Sequence, residues 1–146
     1  MKDLKNILYK VSIESVIGNT DRFISTLQYD SRNVGQDAVF VAIKGSTFDG
    51  HKFISKAIDQ GVAVVVCEDL PVTLIKGVTY VVVGNTSKAL AIMASNYYEN
   101  PSENLKLVGI TGTNGKTTIA TLLYELFKNA GYKVGLISTV KIMVDT

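Results

Sequence analysis

Three short runs of almost entirely apolar residues place the strongest limits on how this 146-residue chain can fold. They span residues 38–43 (AVFVAI), 62–67 (VAVVVC) and 79–83 (TYVVV). β-Branched and aromatic side chains of this kind favour strands, and a strand that is apolar on both faces has to be covered on both faces. The runs therefore predict parallel strands with helices packed over them, which is an α/β fold.

Two segments around these runs have the residue spacing of amphipathic helices. Residues 51–60 place apolar side chains on one face and end at Gly61, because glycine commonly stops a helix. We expect a second helix to begin at Thr86 or Ser87, either of which can cap it, and to end before Pro101. The shorter elements expected from the same patterns are a helix at 4–9 and a strand at 23–29.

A glycine-rich segment at 109–118, GITGTNGKTT, precedes another amphipathic pattern. The apolar run 105–108 before it predicts a buried strand, and apolar residues within 119–130 recur at the helical spacing i, i+3, i+4, i+7. Residues 133–138 then predict a second strand. We therefore expect the glycine-rich turn to join a strand to a helix inside a βαβ unit.

That context gives the turn the chemistry of a phosphate site. Glycines let backbone N–H groups converge, and the start of a helix adds the positive end of its dipole. Lys116 is expected to reach the outer phosphates of a nucleotide, and the Thr117 hydroxyl is expected to bind Mg²⁺. The usual P-loop has a glycine where this chain has Ile110, and Gly112 and Gly115 are only three residues apart, so the motif is a variant.

Charge and composition exclude several classes of partner. The net charge is +2 and the basic residues do not cluster, which argues against nucleic acid or an anionic membrane as a partner. The N-terminal residues are polar and interrupted, unlike a signal peptide, and no apolar run approaches the roughly 20 residues that span a bilayer. The single cysteine, Cys67, cannot form an internal disulfide, so we expect a cytoplasmic protein.

The loop residues 111–118, TGTNGKTT, resemble the ATP-binding loop of the Mur ligases, which build the peptide stem of bacterial peptidoglycan. That family tolerates the missing first glycine. The related folylpolyglutamate synthases usually have a Gly-Ser pair after the lysine, whereas this chain has two threonines. The resemblance implies that Lys116 is catalytic, that Thr117 binds Mg²⁺, and that the ATP phosphates contact Gly112, Thr113, Asn114, Gly115, Lys116, Thr117 and Thr118.

Three upstream segments resemble the N-terminal domain shared by two Mur ligases, which add the third residue and the terminal dipeptide: 29–32 (YDSR), 39–45 (VFVAIKG) and 48–51 (FDGH). In the family this domain holds the uridine diphosphate end of the substrate. Ser31, inside the Asp-Ser-Arg triplet, carries over as a contact to the uracil or the diphosphate. Tyr29, Ser46 and Thr47 lie where relatives touch the uridine, although the Ser46-Thr47 pair departs from the family's His-Gln or His-Gly pair.

The resemblance also implies a division into domains. Residues 1–100 are expected to form a small α/β domain that binds the UDP-muramoyl peptide. Residues 101–146 are expected to be the truncated start of the central ATP-binding domain, with one βαβ unit and its P-loop. Because a single βαβ unit leaves strand edges and a helix face without partners, we expect the chain to be an N-terminal piece of a longer protein.

The family activity implied is that of an ATP-dependent amide ligase. It adds a diamino acid to UDP-N-acetylmuramoyl-L-alanyl-D-glutamate through an acyl phosphate. Residue order resembles the ligase that adds the third residue more than the one that adds the dipeptide. We expect small-molecule substrates only, a monomer, and no ligase activity from this chain alone. The alternatives are the dipeptide-adding Mur ligase, an unrelated P-loop NTPase, and a module that only binds uridine nucleotides.

Three other residue types have a structural interpretation. His51, the single histidine, opens a predicted helix and is expected to be structural rather than catalytic. Cys67 lies inside an apolar strand and is expected in the core. Tyr97 and Tyr98 are expected to pack against the sheet rather than stack on a base.

Overall fold

The computed structural model describes residues 1–45 and 48–145. Contacts group the chain into Met1–Asn104 and Leu105–Thr146, hereafter unit 1 and unit 2, and the functional division expected at residue 100 stays a prediction. The helices and strands are β1 (Lys2–Asp3), α1 (Leu4–Ile7), β2 (Ile13–Ile17), β3 (Phe23–Ile24), β4 (Thr26–Gln28), β5 (Ala38–Val41), α2 (Ile54–Asp59), β6 (Val64–Cys67), β7 (Thr79–Val83), α3 (Thr86–Tyr97), α4 (Lys116–Asn129), β8 (Gly135–Ile137) and β9 (Ile142–Val144), with 3₁₀ helices at Gly50–Phe53 and Pro101–Asn104.

Unit 1 is organised around a five-stranded sheet with the strand order β2-β7-β6-β5-β4. Strands β4 to β7 run parallel to one another, and β2 pairs antiparallel with β7 at one edge. The three central strands β5, β6 and β7 fall within the three apolar runs, and every residue in them is buried. The expected α/β fold with parallel strands is therefore confirmed.

The two faces of this sheet form two separate cores, because side chains alternate between the faces of a strand. On one face, valines of β5, β6 and β7 pack with Leu4 and Ile7 of α1 and with Met93 of α3. On the other face, Phe40, Val65 and Tyr80 pack with α2. The sheet thus lies between helices in a three-layer arrangement.

Two local predictions for unit 1 are wrong in detail. The single strand expected at 23–29 is two strands, because Ser25 bonds to the backbone of residues 36 and 37 and bends the chain there. As a result β3 pairs with β1, whereas β4 pairs with β5. The cap of α3 is Asn85, whose side chain accepts from Lys88 N at 2.8 Å, rather than Thr86 or Ser87.

The βαβ unit expected in unit 2 is not formed among the described residues. Residues 105–108 adopt no strand, and Leu107 and Val108 are exposed. Strand β8 forms where 133–138 predicted one, but it pairs antiparallel with β9. A parallel strand needs a neighbouring strand to take its hydrogen bonds, and the described part of unit 2 offers none beside 105–108.

The helix α4 forms where its periodicity predicts it. It buries Tyr124, while Ile119, Leu122 and Leu126 on the predicted apolar face are 48%, 64% and 60% exposed. Gly131 follows the helix with a φ of +85°, as expected of a residue that stops a helix. The periodicity therefore predicted the helix correctly, but it did not predict that most of the apolar face would be exposed in unit 2.

The remaining structural interpretations concern single side chains. Cys67 is fully buried in β6, and burial raises the pKa of its thiol to about 11. Tyr97 packs against the core as expected, whereas Tyr98 is 67% exposed. Among the described residues, no helix is both long enough and apolar enough to cross a membrane.

Candidate functional site

The glycine-rich loop of unit 2 turns into α4 through residues with positive φ. Gly112 has a φ of +150°, and Gly115, the residue at the N-cap of α4, has a φ of +76°. A Cβ atom at Gly115 would meet nothing within 4 Å. Glycine is therefore required at this position by its left-handed backbone rather than by crowding.

The start of α4 presents backbone donors that the helix does not use. The first helical hydrogen bond runs from Ile119 N to Gly115 O, at 2.9 Å. The N–H groups of Lys116, Thr117 and Thr118 precede it and have no carbonyl partner within the helix. These donors coincide with the positive end of the helix dipole, so this end of α4 favours an anion such as a phosphate.

Lys116 adds a positive charge to the same place. Its Nζ donates to Gly112 O at 2.6 Å and to Thr113 O at 3.3 Å, so the ammonium group lies over the loop. The predicted phosphate residues from Gly112 to Thr118 thus run through a bend at 113–115 into the first turn of α4, with the ammonium group over the bend. The arrangement can offset part of the negative charge of a polyphosphate.

A metal ion would find few protein ligands at this loop. The parts of the chain that the structure describes hold no group of three or more His, Cys, Asp or Glu side chains placed to bind a metal ion. Thr117 offers one hydroxyl oxygen, and it is partly buried. Mg²⁺ commonly keeps several waters and takes oxygen ligands from nucleotide phosphates, so this donor set fits a metal ion that arrives with a nucleotide.

A second candidate site lies where the C-terminal ends of the parallel strands of unit 1 meet, and the term edge refers to this end of the sheet from here on. Strands β4 and β5 are parallel neighbours, so the segments that follow them leave the sheet at the same edge. The segment after β4 contains Tyr29, which is 65% exposed, and Ser31, which is 7% exposed. The segment after β5 contains Ser46 and Thr47, which lie outside the described residues.

The Asp30–Arg32 ion pair brackets Ser31. Nε of Arg32 donates to both carboxylate oxygens of Asp30, at 2.9 and 3.1 Å, and its Nη2 donates at 2.6 Å. The backbone N–H of Arg32 also donates to the Asp30 carboxylate, at 2.9 Å. Together these bonds lower the pKa of Asp30 to about 2, the side-chain bond from Arg32 contributing most. Neither residue was predicted as part of the site; the signal was the pair of opposite charges flanking the serine.

A third set of residues at this edge was also missed from the sequence. Glu68 follows β6, and its Oε1 accepts from Thr86 N at 2.9 Å and from the Thr86 hydroxyl at 2.8 Å. The N–H of Thr86 is the main cause of the lowered pKa of Glu68, while partial burial opposes it. Glu68 follows one predicted parallel strand and Thr86 follows the next, and because the carboxyl ends of parallel strands meet, this order is the sequence signal that could have placed the two residues together.

Gly50 closes the segment after β5 onto the sheet. Its N–H donates to Ile43 O at 2.8 Å, and a Cβ atom on it would lie 2.7 Å from Ile43 N and 2.8 Å from Ala42 C. Any larger residue would push the two backbones apart, so glycine is required here by close approach.

Two family models match the chain along most of its length. The model described as "Mur ligase family, catalytic domain" matches residues 23–98, and the model described as "Mur ligase middle domain" matches residues 110–145. The first match alone covers more than half of the chain. This protein belongs to the Mur ligase family, and the resemblance noted from its sequence is confirmed.

Curated relatives place the chain within one branch of that family. It is 48% identical over 142 residues to the UDP-N-acetylmuramoyl-L-alanyl-D-glutamate–2,6-diaminopimelate ligase of Phocaeicola vulgatus, covering 97% of this chain and 29% of the relative. The ligase of the same name from Clostridium tetani is 45% identical over 139 residues, which cover 94% of this chain and 29% of that relative. The chain therefore spans about 29% of the length of these relatives.

Solved structures of another Mur ligase share the fold. The ligase from Acinetobacter baumannii named for adding D-alanyl-D-alanine is similar with a TM-score of 0.55 and 28% identity, covering 73% of this chain and 23% of that one. The MurF ligase of Thermotoga maritima, solved in complex with ADP, is similar with a TM-score of 0.54 and 33% identity. The similarity covers 71% of this chain and 23% of that one.

Proposed function

We propose that this chain supplies the uridine-substrate and ATP-phosphate sites of a ligase that joins 2,6-diaminopimelate to UDP-N-acetylmuramoyl-L-alanyl-D-glutamate. The observation that carries the proposal is the 48% identity to the Phocaeicola vulgatus ligase of that name, which extends over 97% of this chain. The dipeptide-adding ligase is the second candidate, because the solved structures with this fold include it, but at 28% and 33% identity.

In the proposed reaction ATP transfers its γ-phosphoryl group to the D-glutamate carboxylate, and the amine of diaminopimelate then displaces phosphate from the acyl phosphate. Lys116 and the free N–H groups at the start of α4 would bind the ATP phosphates and neutralise their charge. Thr113 and Asn114 would line the turn, and Thr117 would give a hydroxyl ligand to Mg²⁺.

The edge of the unit 1 sheet would hold the uridine diphosphate end of the substrate. Ser31 would bind it through its hydroxyl, and Tyr29, Ser46 and Thr47 would complete the contacts. The Asp30 carboxylate beside Ser31 is paired with Arg32, so it does not present an uncompensated negative charge to a diphosphate. The substrates are small molecules, and we propose that the enzyme works as a cytoplasmic monomer.

A chimaera tests this proposal. This chain would replace the matching residues of the Phocaeicola vulgatus ligase, of which it covers 29%. We expect the chimaera to add 2,6-diaminopimelate to the UDP-muramoyl dipeptide, and the 146-residue chain alone to form no amide product. A folded chimaera that is inactive with the dipeptide substrate, or that adds D-alanyl-D-alanine instead, would contradict the proposal.

A further inference from the structure

A cavity of about 290 Å³ lies between the start of β2, the end of β7 and the first turns of α3. Because β2 runs antiparallel to β7, its first residues lie beside the last residues of β7, at the edge of the sheet. The lining includes apolar side chains that are partly or fully buried, those of Val11, Ala89 and Ile92. A small concave volume with apolar residues and a few polar groups is typical of ligand sites.

The backbone of β2 is irregular where it passes this cavity. Between Ile13 and Ser15 its register against β7 shifts by one residue, so Glu14 is the extra residue of a β-bulge. A bulge redirects the side chain that it carries. Oε1 of Glu14 lies over Gly84, 2.9 Å from the place that a Cβ atom on Gly84 would occupy. The absence of a side chain at Gly84 is therefore what gives this carboxylate its place in the lining.

Two lysines line the same cavity, Lys10 before β2 and Lys88 in the first turn of α3. Within residues 1–45 and 48–145, neither lysine forms an ion pair, and neither does Glu14. The Nζ of Lys10 lies 5.3 Å from the centroid of the Tyr9 ring instead. The lining thus carries two positive charges and one negative charge that the described part of the chain does not pair.

We propose that this cavity binds an acidic α-amino acid, a ligand with two carboxylates and one ammonium group. The ligand has the complementary set of charges, because its carboxylates would pair with Lys10 and Lys88 and its ammonium group with Glu14. A simple dianion would be repelled by the carboxylate of Glu14, and a simple amine would be repelled by both lysines. The inference does not depend on the proposed function, because none of the lining residues belongs to the sites assigned there to ATP or to the uridine ligand.

An NMR titration of the ¹⁵N-labelled 146-residue chain with sodium L-glutamate, at constant ionic strength, tests the proposal. Three exposed ion pairs support only weak binding, with a dissociation constant on the order of 1–10 mM. We expect the amide signals of Gly84 and Ala89 to move along a saturable curve. If no saturable shift occurs, or if the shifts lie away from the lining residues, the proposal is wrong.

Two analogues test the charge pattern of the ligand. Glutarate keeps both carboxylates but lacks the ammonium group, and L-glutamine keeps the ammonium group but has one carboxylate. Because one exposed ion pair changes affinity by up to about five-fold, each analogue should bind about five-fold more weakly than L-glutamate. Glutarate that binds as tightly as L-glutamate would remove Glu14 from the site, and L-glutamine that binds as tightly would remove one of the lysines; either result would overturn the proposal.

Variants assign these effects to single side chains. Glu14→Gln keeps the shape of the side chain and removes its charge, so the five-fold preference for L-glutamate over glutarate should fall to about one-fold. Lys88→Met should weaken both ligands about five-fold. Lys76→Met is the matched control, because it removes the same charge from an exposed residue before β7, whereas the cavity follows that strand. A preference that survives in E14Q, or a loss in K76M equal to that in K88M, would contradict the proposal.

The bulge and Gly84 give an independent test. Gly84 has no positive φ, so alanine fits its backbone, but the added Cβ would displace the carboxylate of Glu14. Gly84→Ala should therefore remain folded in circular dichroism and lose the preference for L-glutamate, as E14Q does. A folded G84A that keeps the full preference would show that the carboxylate position does not matter. If G84A fails to fold, the comparison of E14Q with the unchanged chain still decides.

Discussion

Replacing Lys116 with alanine tests the phosphate site most directly. The change removes an ammonium group that lies over the loop, and hydrogen bonds to charged groups contribute about 1.5–3 kcal/mol. In the proposed ATP complex the lysine would exchange its contacts with the carbonyls of Gly112 and Thr113 for contacts with phosphate oxygens. The net loss should therefore lie near the lower limit, at about 1.5–2 kcal/mol, which weakens Mg-ATP binding about ten- to thirty-fold.

Isothermal calorimetry of the 146-residue chain with Mg-ATP, and separately with UDP-N-acetylmuramic acid, measures both affinities. The uridine ligand should bind K116A as it binds the unchanged chain, because its proposed contacts lie in unit 1. Lys133→Ala removes the same charge from an exposed position in unit 2 and serves as the matched control. Unchanged ATP affinity in K116A, or equal loss of both ligands, would refute the assignment of the loop.

Three further changes address unit 1. Ser31→Ala should weaken UDP-N-acetylmuramic acid binding about ten-fold in calorimetry and leave Mg-ATP binding intact; no effect on the uridine ligand would remove Ser31 from the site. Thr86→Val deletes the hydroxyl of a fully buried residue that is bonded to Glu68, so urea unfolding should show a free energy of unfolding lower by about 1–3 kcal/mol. An unchanged urea midpoint would contradict this expectation. The folded pKa of Glu68 is below its ordinary value of 4.5, so its contribution to stability is complete above pH 4.5 and is lost as pH falls through the folded value. Glu68→Gln should therefore flatten the fall in unfolding free energy over that acid range, and identical pH profiles for the two proteins would contradict the bond to Thr86.

The central part of the fold was predictable because its signal is local. Runs that are apolar on both faces have one favourable placement, between two layers of helices, and β5, β6 and β7 take it. Strands of two or three residues have no such pattern, so β1 and β9 were not foreseen. Their pairing partners lie elsewhere in the chain, as β1 with β3 shows, and a local pattern holds no information about a distant partner.

The turn into α4 was also predictable, because glycine spacing and a following helix are read from adjacent residues, while its binding of phosphate stays a prediction. The strand expected at 105–108 was not formed, since strand formation depends on a neighbour that sequence pattern does not identify. In unit 1 the resemblance suggested Ser31 as a contact, which stays a prediction, and did not suggest the ion pair that flanks it. The ion pair around Ser31 and the bonds of His51 to Glu68 depend on how strand ends meet, which is a property of the folded sheet.

The burial of Cys67 has a practical consequence for solution studies. Its thiol is enclosed within the central strand β6 and keeps its proton well above neutral pH, so thiol-specific reagents will modify it only slowly in the folded protein. A cysteine introduced at an exposed position would then be the only thiol to react, and it would accept a single fluorophore without first removing the native one. The protein is thus ready for site-specific labelling, and slow modification of Cys67 would itself record how often this strand opens to solvent.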